Sequence, residues 1–124
     1  MKKFIRKLTA LTLALCLVCA CAITVSAGSI YDSGTYNGQG YGTYDRCSTI
    51  EVYSETNTSS SYLVKAKAGF YYERTLEPEY GGYVESDYCQ TTATTRFASN
   101  QTIAYMGGFH YVDYTLVSTQ IVYP

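Results

Sequence analysis

Apolar and polar positions alternate with a period of two along residues 61–73. One parity carries Tyr62, Val64, Ala66, Ala68, Phe70 and Tyr72, and the other carries Lys65, Lys67 and Glu73. Successive side chains of a strand point to opposite faces, so this alternation predicts a strand with one buried face and its lysines toward solvent. The small Ala66 and Ala68 predict room for bulky aromatics from a facing sheet. Residues 47–55 predict a second strand, with Ile50 and Val52 on one parity and Cys47 on the other. That conflict of phase calls for a bulge or for a peripheral position of the cysteine.

A polar turn at residues 56–60 separates these two strands. Pro78 and Gly81-Gly82 are expected to stop any ladder after the second. Residues 83–97 are extended and threonine-rich, residues 98–101 form a turn, and residues 102–106 form a short strand. Gly107-Gly108 is expected to break or kink it, leaving residues 109–123 as the last long strand. Residues 28–44 interleave glycine with tyrosine and predict either a flexible lead-in or a glycine-weakened edge strand. No stretch after residue 27 carries a helical apolar stripe. The pattern predicts an all-β fold, a small antiparallel β-sandwich or barrel-like domain of about six to seven strands, with residues 28–124 as a single domain.

The first 27 residues change this picture. Four of the first seven are basic, Leu8 to Val25 is uncharged and apolar, and Val25-Ser26-Ala27 offers small residues ahead of Gly28. This order of basic, apolar and small-residue regions predicts a cleavable secretory signal peptide over residues 1–27 and a secreted product. The short lysine-rich start has the form of a bacterial signal. The uncharged stretch of 18 residues is near the lower limit of about 17–25 for a spanning helix. Thr9, Thr12 and Thr24 dilute it, so no stable membrane insertion is expected after cleavage. The alternative is a lipid anchor on Cys21, for which Val18-Cys19-Ala20 is a poor lipidation box.

Removing the signal leaves 97 residues with five basic and ten acidic side chains, a net charge of −5. Such a surface repels phosphate backbones and anionic lipid, which argues against nucleic-acid and membrane partners. It also leaves two cysteines, Cys47 and Cys89. In an exported chain these predict one disulfide, worth about 4 kcal/mol through the loop it closes.

Catalytic chemistry is sparse. His110 is the sole histidine, and Asp113, three residues on, is expected on the opposite face of its strand. No Gly-x-Ser-x-Gly elbow is present. Glu73, Glu77, Glu79, Glu85 and Asp87 crowd one region, which is read as a solvated acidic loop rather than a calcium or glycosidase site. No cofactor and no metal ion are expected.

The aromatic content is the positive signal. All 15 tyrosines follow the predicted cleavage site, and tryptophan is absent. Tyrosine combines a flat apolar face with a hydroxyl, so it serves both as a strand residue and as a contact residue for sugars or proteins. Tyr71, Tyr72, Tyr80, Tyr83, Tyr111 and Tyr114 are the candidate contact surface. The glycine-aromatic opening from Gly34-Thr35-Tyr36 to Gly42-Thr43-Tyr44 resembles the start of lactococcin-like bacteriocins; the resemblance covers that segment alone and carries over no residue role. The expected function is therefore a secreted, non-enzymatic domain acting by contact with an extracellular or cell-surface protein or glycan. The alternative is a secreted antibacterial, bacteriocin-like protein.

Overall fold

The computed structural model describes residues 27–124. Except for Ala27, the expected signal segment lies outside the described residues, as does Cys21. Among the described residues nine strands are formed: β1 (Ala27–Tyr36), β2 (Gln39–Ser48), β3 (Glu51–Thr58), β4 (Leu63–Tyr72), β5 (Glu79–Glu85), β6 (Cys89–Gln90), β7 (Thr92–Ala98), β8 (Ile103–Val112) and β9 (Thr115–Val122). One sheet is ordered β1-β2-β3-β7, and the other β5-β4-β8-β9 with β6 also pairing β4. Every pairing is antiparallel, and the two sheets stack as a sandwich.

The strand count exceeds the expected six to seven because turns interrupt segments that looked continuous. Asn37 and Gly38 both have positive φ, 50° and 78°, which is the type I′ turn of a two-residue hairpin. The glycine-rich segment 28–44 is thus neither a flexible lead-in nor one strand but a hairpin, the edge strand β1 paired with β2 in unbroken register from Ala27–Ser48 to Tyr36–Gln39. Asp113 and Tyr114, at φ 53° and 64°, make a second such turn and divide the expected last strand into β8 and β9. Thr91, at φ 70°, separates β6 from β7. Gly107-Gly108 does not break β8. Both stay in register with β4, opposite Gly69 and Ala68 respectively.

The phase conflict at Cys47 also disappears. Ile50 lies in the turn between β2 and β3 and is 65% exposed, so the strand ends before it. Cys47 then faces inward and pairs directly with Val52. This placement corrects the expected disulfide: Cys47 and Cys89 are not joined. Cys47 belongs to a core cluster with Val52, Ala68, Phe70, Ile103, Met106 and Val122. Cys89 packs on a different cluster, made of Val64, Ala66, Ala93 and Val112. The register of the two sheets sends the sulfurs to separate ends of the core.

The parity of β4 is as the alternation predicts. Val64, Ala66, Ala68 and Phe70 are buried, and Phe70 stacks on Phe97 of the facing sheet at 4.4 Å between ring centroids. Val52, Val64, Ile103, Met106, Val112 and Val122 are at most 1% exposed. Burying each such side chain contributes about 1.5–3 kcal/mol.

Candidate binding surface

Between the two apolar clusters lies a polar layer. Thr43, Asp45, Ser54 and Thr56 face inward from β2 and β3, and His110 faces them from β8; all are buried. The Thr56 hydroxyl donates to the Lys65 carbonyl at 2.9 Å. It has one proton, so its 2.8 Å contact with His110 Nδ1 must be accepted from the ring. His110 Nε2 then meets Asp45 Oδ2 at 2.7 Å. Burial pushes the Asp45 carboxyl above the usual carboxylate range; the His110 hydrogen bond and charge oppose it. Ser54, the register partner of Asp45, lowers it slightly without a well-aligned hydrogen bond.

Asp45, His110 and Thr56 are the arrangement sequence reasoning missed, because Asp45 lies 65 residues from His110. In acyl transfer the hydroxyl must give its proton to the imidazole. Here it receives one, and His110, Asp45 and Thr56 are fully buried. The chain of hydrogen bonds is thereby a structural link between the sheets.

The outward side of the β5-β4-β8-β9 sheet is different in kind. Gly69 and Gly107 sit side by side in register at the middle of β4 and β8. A Cβ on Gly69 would meet nothing closer than 3.7 Å, and one on Gly107 nothing closer than 3.4 Å. Packing therefore leaves room for side chains that the sequence withholds, although glycine within a strand costs about 0.5–1 kcal/mol relative to alanine. Tyr71, Tyr80, Tyr83, Phe109 and Lys67 stand around this floor and enclose a hollow of about 120 Å³.

Local irregularity positions two of those walls. Tyr80 and Tyr83 are three residues apart, a spacing that sends side chains of a regular strand to opposite faces. A register shift at Gly81-Gly82 places Tyr80 opposite Tyr71 and Tyr83 opposite Gly69, so both face outward. Gly82 takes φ 129°, a conformation that favours glycine. A Cβ on Gly81 would lie 2.8 Å from Phe70 and Tyr72. The glycine pair expected to stop the ladder instead bends it.

No protein-family model matches the chain, and no curated protein or solved structure is significantly similar to it. The surface rests on its own geometry. Of the six tyrosines proposed from sequence, Tyr71, Tyr80 and Tyr83 come together at the hollow. Tyr72 turns away and packs against the core near Phe70, at 5.7 Å. Tyr111 and Tyr114 join a neighbouring group around Tyr88, at 6.5 and 4.2 Å. Lys65 lies over the rings of Tyr88 and Tyr111, at 5.3 and 5.4 Å. Sequence reading missed Gly69, Gly107 and Phe109; β8 in register with β4 is what makes them a floor and a wall. The signal available was the parity of Lys67, which places Gly69 and Tyr71 on the same outward side.

The acidic residues do not converge. Glu79 pairs with Arg74 at 2.6 Å and Glu85 with Lys65 at 2.9 Å. Among the described residues no group of three acidic, histidine or cysteine side chains could hold a metal ion. On the opposite sheet, Tyr31 stacks on Tyr44 at 4.3 Å, and Glu51 lies between Arg46 and Arg96.

Proposed function

We propose that this protein works outside the cell by surface contact, as a non-enzymatic binding domain for an extracellular or cell-surface partner. The observation that carries the reading is the outward hollow floored by Gly69 and Gly107 and walled by aromatic rings. A core role explains buried tyrosines, but Tyr80 and Tyr83 are 56% and 52% exposed, beside a glycine pair that packing does not require. Exposed Leu116 and Ile121 of β9 extend the apolar character of the same face. Contiguous exposed apolar surface of this kind marks contact sites on other proteins.

The test is binding of the secreted protein to a glycan array and to intact bacterial cells, against the double variant Gly69→Ala/Gly107→Ala. The two added methyl groups fill the floor while leaving the strands in register. Binding that the wild type shows and the variant loses, at a melting temperature no lower than the wild type's, supports the reading. Equal binding by both removes the hollow from it. Killing of neighbouring cells by both proteins alike would favour the antibacterial alternative.

A further inference from the structure

The geometry points to an acidic sugar as the ligand of the Gly69–Gly107 hollow: one pyranose ring laid on the glycine floor, its carboxylate held by Lys67. This inference rests on the surface-contact reading and narrows it to a chemical class.

Size comes first. A hollow of about 120 Å³ admits one ring, well short of the about 300–1,000 Å³ of sites that enclose a drug-sized ligand. The site therefore grips a single unit at a polymer's end or side, open to solvent beyond it. The walls come next. Aromatic faces suit both sugar rings and aromatic rings, but the rim is also polar. Among the described residues the hydroxyls of Tyr71, Tyr80 and Tyr83 have no hydrogen-bond partner. Phenol hydroxyls left without a protein partner can serve a ligand bearing its own hydroxyls, and a plain aromatic ring would leave them unused.

Charge decides the class. Lys67 Nζ lies 4.3 Å from the ring centre of Tyr83 and 5.6 Å from that of Phe109. Its register partner across β4 and β5 is Glu85. That carboxylate is drawn one step along the strand to Lys65, at 2.9 Å. Among the described residues no carboxylate comes within ion-pair distance of Lys67. A cation seated between π faces at the edge of a hollow repels a cationic ligand such as a quaternary ammonium. It attracts an anion, and a carboxylate fits the three donors of an ammonium. The net charge of −5 for residues 28–124 disfavours polyanions with closely spaced charges, leaving isolated carboxylates on a largely neutral polymer.

The experiment titrates protein secreted from the full-length coding sequence with sodium glucuronate, its methyl ester, glucose and choline. Saturation-transfer NMR and tyrosine fluorescence report binding; the absence of tryptophan makes the tyrosine signal direct. Glucuronate is expected to bind at least about tenfold more tightly than its ester or glucose, the scale of one charge-assisted hydrogen bond. Lys67→Met, which keeps the stem and removes the charge, should erase that preference. Gly69→Ala/Gly107→Ala should abolish all binding without lowering the melting temperature. Equal binding of glucose and glucuronate, or a Lys67→Met variant that still prefers glucuronate, overturns the acidic-sugar inference and leaves the surface-contact reading standing. Binding of glucuronate that survives filling of the floor overturns both. A wild type that dimerises while the floor-filled variant stays monomeric assigns the face to a second copy and also overturns the inference.

Discussion

Gly107 and Gly108 are neighbours in sequence with opposite roles, and replacing each with alanine should move stability in opposite directions. On β8 they face opposite sides of the sheet, Gly107 outward opposite Gly69 and Gly108 inward opposite Ala68. A Cβ at Gly107 would touch the Phe109 ring at 3.4 and 3.6 Å and the Gln120 carbonyl at 4.0 Å, so the methyl group fits. Gly107→Ala then loses glycine's extra unfolded-state entropy and should stabilise by about 0.5 kcal/mol. For a domain of this size that raises the melting temperature by roughly 2–4 °C.

A Cβ at Gly108 would lie 2.3 Å from both Cγ and Oδ2 of Asp45. The carboxylate has nowhere to go: it is fully buried and tied to His110 at 2.7 Å. Overpacking by one methyl group costs about 1–3 kcal/mol. Driving Asp45 off His110 would also leave buried polar groups without their hydrogen bond, about 1–3 kcal/mol more. Gly108→Ala should therefore cost about 3 kcal/mol or more and lower the melting temperature by roughly 12–24 °C. Thermal and urea unfolding followed by circular dichroism measure both variants. If Gly108→Ala proves neutral, or if the two variants shift the melting temperature in the same direction, the assignment of inner and outer faces on β8 is wrong.

Val64 is fully buried among Ala66, Ala93 and Val112, so Val64→Asp places an unpaired carboxylate in an apolar layer; it should cost several kcal/mol and yield unfolded protein by circular dichroism. Cys89 should react with iodoacetamide in the native protein without prior reduction, and mass spectrometry showing no adduct until a reductant is added would restore the disulfide. The Tyr53 hydroxyl donates to Glu55 at 2.8 Å, and burial first, then Glu55, push its pKa up to about 12. Its folded pKa is raised, so the associated stability is present below about pH 10, the unfolded value, and is lost as pH rises toward about 12. An alkaline absorbance titration should show a late tyrosinate phase that Tyr53→Phe removes; an unchanged late phase in that variant would refute the assignment.

Local pattern alone established the all-β class, the buried parity of β4 and the outward direction of Lys65 and Lys67. A period of two is a property of the strand itself and needs no partner to be legible. The Asn37-Gly38 hairpin was equally local. It followed from the turn preference of Asn-Gly but was obscured by the glycines around it. Asp113-Tyr114 carried no such signal, because neither residue has glycine's freedom at positive φ; pairing of β8 with β9 and of Asp113 with Leu63 holds that turn in place. The same contrast separates the site from its parts. Tyrosine abundance was visible in the sequence, but the choice among tyrosines was not. Tyr71, Tyr80 and Tyr83 meet through a shift of register at Gly81-Gly82, while Tyr72, one residue from Tyr71, turns toward the core. The Gly69–Gly107 floor and the Asp45–His110 contact each join residues tens of positions apart. Such contacts exist only once two strands are aligned and two sheets are stacked, and no local periodicity encodes that alignment.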